Sequence, residues 1–124
     1  MIVLVTGGRE FKDRAFVFAI LDQVHARRPI TTLVEGGATG ADVHARAWAI
    51  SRNVTPDTHE ANWQRYGHHA GRVRNCSMLR ETRPKLVIAF PGGKGTRHMR
   101  GIAKEASVVV FDTARFYRGE APKF

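Results

Sequence analysis

Met1-Ile2-Val3-Leu4-Val5-Thr6-Gly7-Gly8-Arg9 opens the chain, an apolar and β-branched run that ends in paired glycines and an arginine. A run that is apolar at every position, and not at every second one, is what a strand buried on both faces requires. The glycines after it let the backbone turn sharply or approach another group closely. The same pattern recurs twice. Thr31–Glu35 leads into Gly36-Gly37-Ala38-Thr39-Gly40-Ala41-Asp42, and Leu86–Phe90 leads into Pro91-Gly92-Gly93-Lys94-Gly95-Thr96. Ser107–Phe111 is a similar apolar run, and Asn53–Thr58 is a weaker one, interrupted by Pro56.

Between these runs the apolar residues change to helical spacing. In Asp13–Arg27 they are Phe16, Val17, Ile20, Leu21 and Val24, with Asp13 placed to cap the N-terminus. Ala41–Arg52 offers an apolar face of Val43, Ala47 and Ile50, with Trp48 beside it. Gly67–Thr82 and Arg97–Ala106 complete the set, the latter through Met99, Ile102, Ala103 and Ala106, and Pro84 stands where a helix stop belongs. Strands alternating with helices through short loops predict an α/β, Rossmann-like three-layer domain with a mostly parallel sheet of about five strands. The reading assigns residues 1–111 to this domain and 112–124 to a C-terminal extension. Phe116, Tyr117 and Phe124 of the extension are expected to pack back on the domain or against a second subunit.

At 124 residues the chain fits one domain, and 43% hydrophobic with 25% charged residues is globular usage that excludes a disordered or fibrous chain. No apolar run approaches the ~20 residues of a membrane span, and the N-terminus reads as a strand without the flanks of a signal peptide. A lone cysteine, Cys76, makes neither an internal disulfide nor a multi-thiolate site, so a cytoplasmic location is expected, with Cys76 as a small core residue. His68, His69 and His98 lack acidic or thiolate neighbours at ligand spacing, so no metal site is expected. The net charge of +9 is unevenly placed. Residues 62–104 hold Arg65, Arg72, Arg74, Arg80, Arg83, Lys85, Lys94, Arg97, Arg100 and Lys104 against Glu81 alone, while the rest of the chain is balanced. A one-signed region attracts anions, phosphates above all, although a solvated basic surface has the same composition.

Each glycine loop follows the C-terminal end of a predicted parallel strand, the edge at which open α/β sheets bind ligands. There a helix N-terminus presents free N–H groups and a positive dipole end to a phosphate, with Thr39 and Thr96 as hydroxyl donors. Glycines that merely make tight turns would look the same at any one loop. Three on one edge, beside the basic excess, point to a nucleotide-type ligand. Gly92-Gly93-Lys94-Gly95-Thr96 is not a phosphate loop of the Walker type, and no G-x-G-x-x-G follows any strand.

The segments PGGKGT and GGATGAD, together with Trp63-x-x-Tyr66-Gly67-x-x-Ala70-Gly71-x-x-Arg74-Asn75-x-x-Met78-Leu79, resemble the YspA/YpsA-related branch of the SLOG superfamily. The resemblance covers residues 1–111. That superfamily has a Rossmann-like fold and includes the "Lonely guy" phosphoribohydrolases and the DNA-processing protein A domain; members of this branch occur in bacteria and phages. The resemblance implies sensing or processing of a nucleotide-derived ligand, and a homodimer. Against the phosphoribohydrolase pattern, Arg74, Asn75 and Met78 match the first motif with asparagine for lysine, and Pro91 to Thr96 match the second. The glutamate of that second motif falls at Met99, which can neither steady oxocarbenium-like charge nor activate water.

The candidate ligand-binding residues are therefore Gly7, Gly8, Arg9, Gly36, Gly37, Thr39, Gly40, Asp42, Arg74, Asn75, Pro91, Gly92, Gly93, Lys94, Gly95 and Thr96. Glu35 and Asp42 are the candidate catalytic acids. Each has a structural alternative: Asp42 as charge complement to a helix N-terminus, Glu35 as an edge-of-core acid paired with an arginine, and Arg74 and Lys94 as solvated side chains. Asn75 reads a base edge or caps local backbone, and Trp63 and Tyr66 stack on a base or belong to the core. The leading reading is binding of a phosphate-containing nucleotide or ADP-ribose-type ligand. The rivals are a nucleic-acid binder using the basic surface of residues 62–104, a glycosidic nucleotide hydrolase, and an interaction protein with a vestigial pocket.

Overall fold

A computed structural model describes residues 1–118. Five parallel strands form one sheet in the order β3-β2-β1-β4-β5: β1 (Ile2–Thr6), β2 (Thr32–Glu35), β3 (Thr55–Thr58), β4 (Leu86–Ala89) and β5 (Val109–Asp112). The first strand lies at the centre, with Leu4 opposite both Val34 of β2 and Val87 of β4. Its side chains alternate between two cores. Val3 and Val5 point into the layer of α1 (Arg14–Arg27) and α2 (Ala41–Ser51), with Val17, Leu21 and Trp48. Leu4 points into the layer of α4 (Ala70–Thr82) and α5 (Lys94–Glu105), with Met78, Met99 and Ala103. This is the expected Rossmann-like three-layer arrangement, and a strand with helices on both faces must be apolar throughout.

Asp13 caps α1 as expected, its carboxylate accepting from the Phe16 N–H at 3.0 Å. Three other expectations are corrected. The buried face of α2 is Ala41, Ala45, Trp48 and Ala49, whereas Val43 and Ile50 are 49% and 59% exposed. Small residues there let the helix sit close to the sheet, and Trp48 fills the gap to α1 while its indole N–H donates to Asp22 at 2.8 Å. The helix expected over Gly67–Thr82 is shorter: Gly67–His69 form a 3-10 turn, preceded by a short α3 (Trp63–Tyr66), and α4 begins at Ala70. Cys76 is exposed and not in the core. Pro56 is tolerated because β3 is an edge strand, paired on one side only.

Beyond β5 the chain makes a 3-10 turn (Thr113–Arg115) and packs back on the domain. Thr113 is fully buried and its hydroxyl donates to the Ala89 carbonyl at 2.9 Å. Tyr117 meets Phe11 and Phe16 edge-on, with ring centroids 4.9 Å apart in both pairs. Phe124 lies outside the described residues. Among the described residues no helix is long and apolar enough to cross a membrane. Leu4, with no exposed surface at the centre of the sheet, sets a clear stability expectation. Leu4→Ala should lower the unfolding free energy by about 3–5 kcal/mol and Asp13→Ala by about 1 kcal/mol, both read from denaturant titrations.

Candidate functional site

Strands β1 and β4 are neighbours, but the chain leaves β1 for α1 on one face and β4 for α5 on the other. Their C-terminal ends therefore diverge around a crevice, the switch point of a doubly wound sheet. The three glycine loops close it from above, held by main-chain bonds. The Gly8 N–H donates to the Pro91 carbonyl at 2.8 Å, and the Gly8 carbonyl accepts from Ala41 N–H at 3.2 Å. The Thr39 hydroxyl donates to the Arg9 carbonyl at 3.0 Å. Gly40 has φ +77°, and a Cβ on it would strike the Gly8 and Arg9 carbonyls, so only glycine fits. A Cβ on Gly92 would meet the Thr96 hydroxyl and lie 2.7 Å from the Gly8 nitrogen.

Below the loops lies a cavity of about 440 Å³. Gly7, Gly8 and Arg9 line it from the first loop, Asp42 from the second, and Gly93, Lys94, Gly95 and Thr96 from the third, with Arg74 and Asn75 from α4. An adjoining cavity of about 290 Å³ shares Arg9, Trp63 and Arg74 with it and adds Gly36, Gly37, Thr39 and Glu60. Glu35, Gly40, Pro91 and Gly92 line neither: they hold the loops together from behind. A third cavity, of about 460 Å³, sits at the opposite end of the sheet among Leu79, Ile102 and Val108 and has no glycine loop.

The two helix N-termini at the crevice differ. In α2 the acid Asp42 stands in the first turn, and the Ala41 N–H is already bonded to Gly8. The first turn of α5 has no acid, its Gly93 cap makes no side-chain bond, and Lys94 stands at its first position. The orphan N–H groups and dipole of α5 thus face a cavity lined by Arg9, Arg72, Arg74 and Lys94 against the single carboxyl of Asp42. Such an end is suited to an anion.

Asp42 is 5% exposed. Its Oδ2 accepts from the Gly36 and Ala38 N–H groups at 3.2 and 3.3 Å, while the shielded Oδ1 has no partner among the described residues. Burial and then the nearby Glu35 carboxylate push the Asp42 carboxyl from 3.8 up to about 7, against the pull of the Ala38 N–H and the Arg74 guanidinium. Glu35 is fully buried, and both its oxygens are engaged, by the Gly37 N–H at 2.6 Å and the Thr58 hydroxyl at 2.5 Å. Among the described residues no arginine pairs with it; Arg46 reaches only as far as Thr58. Arg74 donates to the Gly36 carbonyl at 2.6 Å and to Asn75 Oδ1 at 3.0 Å. Burial lowers its pKa, yet a guanidinium stays charged at neutral pH.

Asn75, 4% exposed, ties α4 to the third loop by donating to the Gly95 carbonyl at 3.2 Å. Its amide nitrogen also lies 3.2 Å from His98 Nδ1. An amide nitrogen only donates, so that ring nitrogen accepts and a neutral His98 carries its proton on Nε2. Burial and the Arg72 charge hold the His98 pKa below its usual value. His98, His68 and Arg72 line the cavity although they are not among the ligand-binding residues expected from the sequence. The signal was present: Arg72 and Asn75 are one helical turn apart, and His98 follows Thr96 by two. Trp63 is 47% exposed, lines both cavities, and holds the Arg9 guanidinium 5.0 Å above its ring, so it is not a core residue. Met99 is fully buried against the sheet. Among the described residues no group of three or more potential metal ligands occurs.

Comparison with known proteins agrees with this architecture. A family model described as YAcAr, the YspA, cpYpsA-related SLOG family, matches residues 1–66. The chain is also 40% identical to the Gene 61 protein of Mycobacterium phage D29, over 89% of its own length and 94% of that protein's.

The Asp42 carboxyl makes a prediction with a definite sign. The folded chain holds this proton more tightly than the unfolded one, so the contribution to stability is complete below 3.8 and is lost as pH rises through about 7. Asp42→Asn keeps an oxygen for the Gly36 and Ala38 N–H groups but does not titrate. Thermal unfolding at about pH 5 and about pH 8 should show the parent losing stability relative to the variant at the higher pH. An identical pH dependence in both proteins would show that Asp42 is ionised throughout.

Proposed function

The chain belongs to the YspA, cpYpsA-related SLOG family, and from that premise we propose that it binds a phosphate-bearing, nucleotide-derived ligand in the crevice beneath its three glycine loops. One observation carries the reading: the α5 N-terminus, without acid or cap, opens into a cavity whose lining has four cationic side chains and one carboxyl. The ligand phosphate rests on the N–H groups of the Gly93–Thr96 turn, with Thr96 and Lys94 beside it. Arg9 and Trp63 stand at the junction of the two cavities, where a base has an aromatic face to lie against. Asp42, whose Oδ1 has no partner among the described residues, accepts from a sugar hydroxyl, and among those residues it is the one carboxyl lining the cavity of about 440 Å³ that could serve as acid or base.

Binding without turnover of a nucleoside monophosphate is the behaviour this arrangement supports. The position that carries glutamate in phosphoribohydrolases faces the core here, among Leu4, Val34 and Met78, and not the cavity. Met99→Glu would bury a carboxylate in that apolar cluster and should cost about 3–5 kcal/mol of stability without conferring hydrolysis.

A thermal-shift series with AMP, ADP, ADP-ribose and NAD tests the reading. A ligand held at 100 times its dissociation constant should add about 2.7 kcal/mol to the unfolding free energy. Lys94→Ala and Arg9→Ala, each removing a charge without touching the loop hydrogen bonds, should weaken it by about 1.5–3 kcal/mol. No stabilisation by any phosphorylated ligand would overturn the proposal. Rapid release of free base from AMP, abolished in Asp42→Asn, would instead make the site a hydrolase centred on that carboxyl.

A further inference from the structure

The two helical layers of the domain differ in charge. Helices α1 and α2 carry Arg14, Arg27 and Arg46 against Asp22 and Asp42, a near balance. Helices α4 and α5 carry Arg72, Arg74, Arg80, Lys94, Arg97, Arg100 and Lys104 against Glu81 and Glu105. Arg100 is paired with Asp112 at 2.8 Å, and Arg74 is turned into the site. The other five, with Arg83 at the end of α4, are exposed and form no ion pair among the described residues.

Their spacing is ordered. Arg72, Arg80 and Arg83 fall eight and three residues apart on α4 and its cap, which keeps them on one outer stripe. Lys94, Arg97 and Lys104 fall three and seven apart on α5 and form a second stripe. Both helices pack on the same face of the sheet and follow parallel strands, so the stripes run side by side in the same direction. Arg72 and Lys94, at their starts, line the candidate ligand cavity. From there the track extends the length of the layer, about 20 Å for the thirteen residues of α4. Free nucleotide in the cavity would leave Arg80, Arg83, Arg97 and Lys104 without a partner.

We propose that the ligand is the unpaired end of a single-stranded polynucleotide, its terminal nucleotide in the glycine-loop cavity and its following phosphates on the α4–α5 track. This rests on the pocket reading above. A duplex end cannot enter the cavity while paired, and the exposed ring of Trp63 at the mouth gives an unstacked base a surface. The phosphates are read as charge, without sequence preference, because the track consists of exposed lysine and arginine side chains.

The test compares AMP with 5′-phosphorylated single strands of about eight nucleotides, as DNA and as RNA, by fluorescence anisotropy between about 50 and 200 mM salt. The strand should bind at least tenfold more tightly than AMP at the lower salt. Its log affinity should fall with log salt at a slope of about −2 to −4, the value for three to six phosphates neutralised on a single strand. Arg80→Glu, Arg97→Glu and Lys104→Glu combined should remove that advantage and flatten the slope while the stabilisation by AMP stays unchanged. The neutral set Arg80→Gln, Arg97→Gln and Lys104→Gln provides the same contrast should the reversed set fail to fold. Strand binding no tighter than AMP, with AMP still stabilising the protein, would overturn the track and leave the pocket standing. Strand binding that depends on the track, with no effect of AMP, would keep the track and overturn the pocket. Equal binding of polyglutamate would show an acidic protein surface as the partner and sink the polynucleotide.

Discussion

The peptide of Gly8 is the joint on which the upper edge of this domain depends. Its N–H is given to Pro91 of the β4 loop and its carbonyl takes the Ala41 N–H at the start of α2, so one residue bonds to both of the other glycine loops. That is possible only because neither Gly8 nor its neighbours in space, Gly40 and Gly92, carry a Cβ at the points of contact. The crevice between β1 and β4 is a consequence of strand order, but its roof is a consequence of three backbones meeting at van der Waals distance. Buried main-chain groups must be paired, and here they pair with one another across loops.

That joint gives the two nearby helix N-termini different fates. At the end of α2 the Ala41 N–H is taken by Gly8 and the first turn carries the Asp42 carboxyl, which disfavours an anion there. The end of α5 has only glycine and lysine in its first positions and stays open. Asp42 is thereby spent on structure through one oxygen and left free through the other. Glu35 completes the arrangement from below by holding the Gly37 N–H and Thr58, which fixes the second loop against β3. Desolvation by burial raises the Asp42 carboxyl, and the nearby Glu35 charge adds to it.

The same asymmetry extends to the whole molecule. The α1–α2 layer encloses the larger aromatic core, with Trp48, Phe11 and Phe90, and its surface charges are mixed. The α4–α5 layer is thinner in apolar content, packed through Met78, Met99 and Ala103, and its outer surface is cationic. Among the described residues each layer has one Arg–Asp pair, Arg52 with Asp22 and Arg100 with Asp112, so the layers differ in the surplus of like charge, and the cationic layer offers a field to anions.

The α/β class, an apolar Ile2–Thr6 strand buried on both faces, the Asp13 cap and three loops that line up at one edge were all legible in the residues, while the place of that strand at the centre of the sheet came from the strand order. The legible features follow from local chemistry: apolar runs, a side chain three residues from an N–H, and glycines directly after strands. Only the tertiary structure decided which face of α2 is buried, because alanines at 41, 45 and 49 carry no apolar signal comparable to Val43 and Ile50 yet alone allow the close approach. It likewise decided that Trp63 is exposed beside Arg9, that Cys76 faces outward, and that Met99 faces the sheet while its neighbour His98 lines the cavity. Residue type sets what a side chain can do, but burial and partners are set by segments distant in the chain. Asp42 illustrates the difference: its carboxyl is legible in the sequence, and its elevated affinity for a proton exists only once Glu35 and the sheet have closed around it.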